Sequence, residues 1–307
     1  MDGSREVLAD HDVLVAGDSP FQRRARLLQA LWREDRGYPI GAHRGRPLGS
    51  RLPMPEAEEH LWNYLTEGIR GVVRDETRGE GRDRTKVYQE PRIFEDLLSS
   101  QPLCFNLFGE LVHQRDLASD VGRRLWPGRV EEVTRLEFEW SPGRDDPRYL
   151  ANRSAFDVYL EHTVSGGGRG FIGIEVKYHE NLKVDPARHQ QLYEQIAALA
   201  GVFVPERLDT LLHPPCQQLW LDHLLALSIL QRDRWDTGLF VLLHPSANLA
   251  CTSAWSTYGT CLESEPHAEA RTLEELVDAL GQCCSEPWVR ELAARYLDFN
   301  RVAAMGV

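Results

Sequence analysis

Residues 171–180 read FIGIEVKYHE. Ile172, Ile174 and Val176 alternate with Gly173, Glu175 and Lys177, and successive side chains of a strand point to opposite faces. The apolar set predicts a side turned to the core. The other side then carries a carboxylate and an ammonium two residues apart. Burying such groups is costly unless they are paired or bound. The stretch therefore predicts a strand whose charged pair has a task.

Its neighbours complete a sheet. Residues 132–140, EVTRLEFEW, and 155–163, AFDVYLEHT, alternate as strands, and SGGGRG at 165–170 is a flexible turn. GLFVLL at 238–243 reads as a fully buried strand ended by His244-Pro245. Helical spacing predicts helices over 21–34, 56–72, 92–100, 103–117, 186–200 and 215–231. The helix at 186–200 is opened by Pro186 and capped by Asp185. Thr272 and Glu275 form a capping box for a helix reaching 282, and Pro287 opens a last amphipathic helix. Residues 37–55 read as an irregular loop, and 73–90 as a charged, mobile loop. The order predicts a mixed α/β core with helical additions at both ends. Three segments follow from this: an N-terminal, mostly helical extension over 1–90, a core over 91–250, and a helical segment over 251–307 packed on the core.

If the strands at 155–163 and 171–178 pair as a hairpin and their polar faces coincide, Asp157 meets Glu175 and Lys177. Two carboxylates on rigid strands suit a hard divalent cation such as Mg²⁺, with Mn²⁺ as substitute. Such an ion lowers the pKa of a bound water and polarises a phosphoryl oxygen. A nearby lysine can orient the nucleophile and stabilise developing negative charge. Of the 35 basic residues only Lys86, Lys177 and Lys183 are lysines. Arginine is the default cation of this chain, so a lysine at 177 points to a compact, tunable point charge.

Composition narrows the partners. The net charge of −12 opposes non-specific nucleic-acid binding by the whole surface. Residues 20–51 are an exception, with Arg23, Arg24, Arg26, Arg33, Arg36, Arg44, Arg46 and Arg51 against Glu34 and Asp35. Two readings stand for this stretch: a phosphate-facing patch, or a solvated helix face and loop packed on acidic surroundings. The six cysteines form no C-x-x-C pair, which predicts neither a zinc site nor a disulfide framework. No apolar run is long enough to span a bilayer, and the acidic N-terminus lacks a signal-peptide core. A cytoplasmic protein is the expectation. His223 beside Asp222 in an apolar helix reads as a satisfied core pair, and no G-x-S-x-G, H-E-x-x-H or phosphate-binding loop is present.

Asp157, followed after a turn by Glu175-Val176-Lys177, resembles the signature of the PD-(D/E)XK nuclease superfamily, whose restriction-endonuclease-like core is helix, strand, strand, strand, helix, strand. Phe156 stands where the signature has proline. The resemblance implies a Mg²⁺-dependent endonuclease acting on DNA, with Asp157 and Glu175 as metal ligands and Lys177 as the catalytic lysine. It adds Glu110, in CFNLFGEL, as a third metal-site acid from the first core helix. It offers Gln190, Gln191 and Tyr193 as auxiliary groups on the helix after the E-x-K strand. The phrases RRARLLQALWRE, PLGSRL, QLWLDHLLALSIL and FVLLHP are also similar to an uncharacterised bacterial restriction-endonuclease-like family. That likeness implies bacterial defence or restriction, with a homodimer or other defence subunits as partners and no membrane. Arg23, Arg24, Arg26, Arg44, Arg46 and Arg51 are the candidate nucleic-acid contacts. The rival expectation is a catalytically silent protein of the same fold that binds nucleic acid or scaffolds a defence complex.

Overall fold

The computed structural model describes residues 3–183, 188–263 and 267–307. A short hairpin pairs β1 (Gly41–His43) with β2 (Arg46–Leu48). A second sheet has the spatial order β3 (Glu132–Trp140), β4 (Phe156–Val164), β5 (Gly168–Val176), β6 (Thr237–His244) and β7 (Ala268–Thr272). The first three strands are antiparallel neighbours, while β6 and β7 run parallel to β5. The sheet is therefore mixed, as expected, with β7 added at one edge. Nothing in AEART announced β7, because all five of its residues are only half-buried.

The helices are α1 (Gly3–Asp10), α2 (Pro20–Asp35), α3 (Glu56–His60), α4 (Glu67–Arg78), α5 (Arg92–Glu95), α6 (Ser100–Phe108), α7 (Arg115–Leu125), α8 (Gln191–Ala200), α9 (Leu208–Leu211), α10 (Cys216–Arg232), α11 (Leu249–Gly259), α12 (Leu273–Cys283), α13 (Pro287–Tyr296) and α14 (Phe299–Ala303). Capping chemistry fixes several starts. Ser19 and Gln22 form a reciprocal capping box at α2. Thr272 and Glu275 do the same before α12, with bonds of 2.7 and 3.2 Å. No helix among the described residues is long and apolar enough to cross a membrane.

Four expected helices change. The helix expected over 92–100 is only the single turn α5, after which Asp96 bridges to Arg51 and the chain turns before α6. The helix expected over 103–117 is two, α6 and α7, joined by a 3₁₀ turn at Gly109–Val112. The helix expected over 56–72 is also two, and the second carries on to Arg78, into the stretch read as a loop. The helix expected over 186–200 appears as α8, which starts at Gln191, while the expected cap Asp185 and opener Pro186 lie outside the described residues. Residues 41–48, read as irregular, are the β1–β2 hairpin.

The chain divides into two compact units, one made of residues up to Glu110 together with Leu280–Val307, the other of Leu111–Ala279. The sequence division near 90 and 250 follows composition along the chain, whereas these units follow packing. In the first unit α13 and α14 pack on α2. Arg295, fully buried, binds the Gln29 side chain at 3.0 Å and the Asn63 carbonyl at 2.7 Å. Such tertiary anchors leave no trace in linear composition.

In the second unit both faces of the sheet are covered. Val158, Leu160, Ile172, Ile174, Val176, Leu239, Val241 and Leu243 are buried on one face. On the other, Tyr159, Phe171, Phe240 and Leu242 join a core with Tyr193 and Ile196 of α8 and Trp220 and Leu224 of α10. Glu175 belongs to this second face. The face read as polar is thus apolar along most of its length, as in strands roofed by crossover helices. Its charges gather only at the C-terminal end of β5. Gly173 on the same face is required by packing, since a Cβ there would meet the Phe156 ring at 2.5 Å.

Candidate active site

Register brings the acids close. Tyr159 pairs with Gly173 and Val158 with Ile174, where the ladder ends, so Asp157 follows beside the Glu175–Val176 end of β5. The Asp157 side chain replaces a ladder bond there, its Oδ2 accepting the Val176 N–H at 2.8 Å. The Lys177 N–H donates to the Leu243 carbonyl at 2.9 Å and extends the β5–β6 pairing past Val176. Lys177 therefore keeps the strand alternation and lies on the face of Glu175. Its ammonium donates to Glu175 Oε1 at 2.7 Å. Gln218, in the first turn of α10, donates to the same oxygen at 2.7 Å. Glu175 and Lys177 are 7% and 9% exposed, so this ion pair is sheltered from screening by solvent.

More acids surround the pair. On β3, Glu139 lies between Phe138 and Trp140, which pair with Val158 and Phe156, so it flanks Asp157 from the other side. It is held by Arg144 at 2.7 Å. Glu180, just past the strand, accepts the N–H of Tyr178 at 2.8 Å and of His179 at 3.1 Å. Asn248 donates to the carbonyls of Tyr178 and Glu180 at 3.0 and 2.9 Å and so ties this turn to the start of α11.

The electrostatics follow from the crowding. Burial, and then the Glu175 charge, hold the Asp157 carboxyl well above its ordinary range, against the pull of Lys177 and the Val176 N–H. Burial alone would lower Lys177, but Glu175, Glu180 and Asp157 outweigh it and raise it, so the side chain stays an ammonium. Glu180 goes the other way: burial would raise it, yet His179, Lys177 and the backbone donors bring it below its usual value.

These residues fit a hard cation. The bonds to Glu175 both fall on Oε1 and the bond to Asp157 falls on Oδ2, which leaves Glu175 Oε2 and Asp157 Oδ1 without a hydrogen bond among the described residues. A divalent ion between the two carboxylates would also offset the Glu175 repulsion that, after burial, raises Asp157. Among the described residues no group of three or more His, Cys, Asp or Glu side chains is placed to hold a metal. Two protein carboxylates, with water and substrate oxygens completing the shell, is the arrangement Mg²⁺ accepts.

Gln190 and Tyr193 bond to each other at 3.1 Å and to the chain before β4, Gln190 to the Ala151 carbonyl at 3.2 Å and Tyr193 to Asn152 at 3.1 Å. Gln191 is exposed. None of the three makes a hydrogen bond to Asp157, Glu175 or Lys177; the glutamine that reaches Glu175 is Gln218. Glu110 lies in the first unit, where it accepts the hydroxyl of Thr66, the N-cap of α4. Of the candidate arginines, Arg26 pairs with Asp18, Arg51 pairs with Glu95 and Asp96, and Arg24 lies over the Phe299 ring. Arg23, Arg44 and Arg46 are exposed.

Asp222 was not legible as part of this neighbourhood. It lies one turn along α10 from Gln218, on the same helix face, and is 6% exposed. Its Oδ2 has no hydrogen-bond partner among the described residues. The expected Asp222–His223 pair does not form, since adjacent helical residues diverge, and His223 Nδ1 instead meets the Tyr258 hydroxyl at 2.9 Å. Burial and then Glu175 hold Asp222 well above the ordinary carboxyl range, with Lys177 opposing. The unfolded chain loses this proton near pH 4, while the folded chain keeps it to higher pH. Folded protein therefore binds the extra proton in that window, and stability falls as pH rises through it. Asp222→Asn is expected to flatten the fall in Tm between pH 5 and 8, as read by thermal melts in EDTA. An unchanged slope would show that Asp222 does not titrate in the fold.

Residues 16–298 match the model of the PD-(D/E)XK nuclease superfamily. No curated protein and no solved structure matches the chain.

Proposed function

We propose that this chain, which belongs to the PD-(D/E)XK nuclease superfamily, is a Mg²⁺-dependent nuclease that hydrolyses phosphodiester bonds of DNA at Asp157, Glu175 and Lys177. The observation that carries the reading is the cluster itself: the half-buried Asp157 and the buried Glu175, each with one uncommitted oxygen, and the buried Lys177 ammonium 2.7 Å from Glu175. A Mg²⁺ ion held by Asp157 and Glu175 would supply a more acidic water and a polarised phosphoryl oxygen. Lys177, kept protonated by its carboxylate neighbours, serves as a donor and fixed charge beside the attacked phosphate rather than as a base. Gln218 fixes the rotamer of Glu175, and the Val176 N–H fixes that of Asp157. Hydrolysis joins the water oxygen to phosphorus and breaks one P–O ester bond, with a proton passing to the departing oxygen.

The test is cleavage of supercoiled plasmid and of an RNA of matched length, in Mg²⁺ and in EDTA. Mg²⁺-dependent nicking of the plasmid is expected. Intact plasmid in both conditions would support the silent scaffold, and preferential loss of the RNA would overturn the DNA assignment.

Metal binding should also depend on pH. Asp157 must release its proton to ligate, and that proton is held to a raised pH. The rise in Tm caused by Mg²⁺ is therefore expected to grow between pH 5.5 and 8. At ten times Kd the stabilisation is about 1.4 kcal/mol. A Tm shift that shrinks as pH rises would rule out Asp157 as the ligand.

A further inference from the structure

The arginine-rich stretch divides sharply in the fold. Arg26 donates to Asp18 at 2.7 Å and to Ser50 at 2.9 Å. Arg33 is buried and donates to the carbonyls of Gly49 and Tyr38. Arg36 pairs with Glu291, Arg51 with Glu95 and Asp96, and Arg24 lies over Phe299. These five serve the first unit. The side chains of Arg23, Arg44 and Arg46 are exposed and make no ion pair, hydrogen bond or ring contact among the described residues.

Two of the three sit on the β1–β2 hairpin. His43 pairs with Arg46 across the strands, and Arg44-Gly45 is the two-residue turn, with φ of +51° and +76°. Both turn residues are left-handed, which is the type I′ geometry that prefers Asn-Gly or Gly-Gly. An arginine at the first of these positions costs backbone energy that asparagine would spare. The base of the hairpin is anchored, with the Gly41 N–H bonded to the Arg51 carbonyl at 2.8 Å and the Gly49 N–H to the Asp12 carbonyl at 2.9 Å. A Cβ at Gly41 would meet the Leu52 carbonyl oxygen at 2.3 Å, so the ribbon lies tight against its support. The sequence has no acidic residue between Asp35 and Glu56, in a chain of net charge −12. Pro47 lacks an N–H donor, which disfavours adding a strand to this edge.

We propose that the β1–β2 hairpin is a DNA-contacting ribbon whose Arg44 and Arg46 bind phosphates of a duplex. Guanidinium forks match phosphate oxygens in geometry and charge, and a two-stranded ribbon is narrow enough for the major groove. The inference rests on the nuclease reading for its choice of partner, and it adds a surface that the reading does not name.

The experiment uses the full chain in EDTA, a short fluorescent DNA duplex and a NaCl series read by anisotropy. Arg44→Ala/Arg46→Ala is expected to bind more weakly and to lower the slope of log K against log salt by about 1.8, two contacts at about 0.9 each. Arg44→Lys/Arg46→Lys is expected to keep most of the slope. Arg148→Ala, which removes a comparably exposed arginine from the second unit, is expected to leave it unchanged. Wild type that does not bind the duplex, an unchanged slope in the alanine pair, or an equal loss in Arg148→Ala would overturn the proposal. Plasmid cleavage separates the two ideas. A wild type that never cuts but shows the slope change defeats the nuclease reading alone, and one that cuts with no slope change defeats the ribbon alone.

Discussion

Asp157→Ala is expected to lower Mg²⁺-dependent plasmid cleavage by about 10³-fold or more, which corresponds to about 4 kcal/mol of transition-state stabilisation. The variant loses one of the two carboxylates proposed to hold the ion. Folding should survive, because the lost bond to the Val176 N–H is one ladder contact at a strand end. The fold of the variant is checked by its melting curve in EDTA, where removing a carboxyl repelled by Glu175 offsets part of the lost bond. Lys177→Arg should also fall steeply in activity, since a longer planar fork cannot stand where a compact ammonium lies 2.7 Å from Glu175. Asp157→Ala cutting within tenfold of wild type would show that the chemistry lies elsewhere.

The second large effect is on stability. Lys177→Met removes the ammonium and leaves Glu175 buried beside Asp157 with no cation between them. Removing one partner of a buried ion pair costs about 3–5 kcal/mol. Mg²⁺ is expected to restore more of the Tm in this variant than it adds to wild type, because in the variant the ion replaces a missing charge as well as filling a site. Denaturant melts with and without Mg²⁺ measure both quantities. A variant as stable as wild type in EDTA would mean that the Lys177–Glu175 pair contributes no net stabilisation in solution.

The candidate site's strands were legible because strands write their geometry into sequence. Alternation in 155–163 and 171–178, with a glycine-rich turn between, marked the hairpin that brings Asp157 beside the Glu175–Val176 end of β5. The rarity of lysine singled out Lys177. Gln218 and Asp222 were hidden because QLWLDHLLALSIL is apolar on nearly every side. Which of its faces meets β5 is settled by tertiary packing alone. The sequence favoured Gln190 and Tyr193, at helical spacing in the first helix after the strand, yet that helix turns them toward the segment before β4. Glu139 was obscured by its own strand, where EVTRLEFEW offers three glutamates, Glu132, Glu137 and Glu139. The hairpin at 41–48 was missed because Arg44 occupies a turn position where asparagine or glycine would have announced it. The last helices were placed by order rather than by contact, whereas in the fold α13 and α14 pack on α2 and the buried Arg295 binds Gln29 and Asn63.

The most direct measurement is the anomalous difference map of crystals soaked in Mn²⁺. A peak is expected within about 2.2 Å of both Asp157 Oδ1 and Glu175 Oε2, and it should be gone in Asp157→Ala. An empty map between these two oxygens, or a metal bound only at other side chains, would contradict this site.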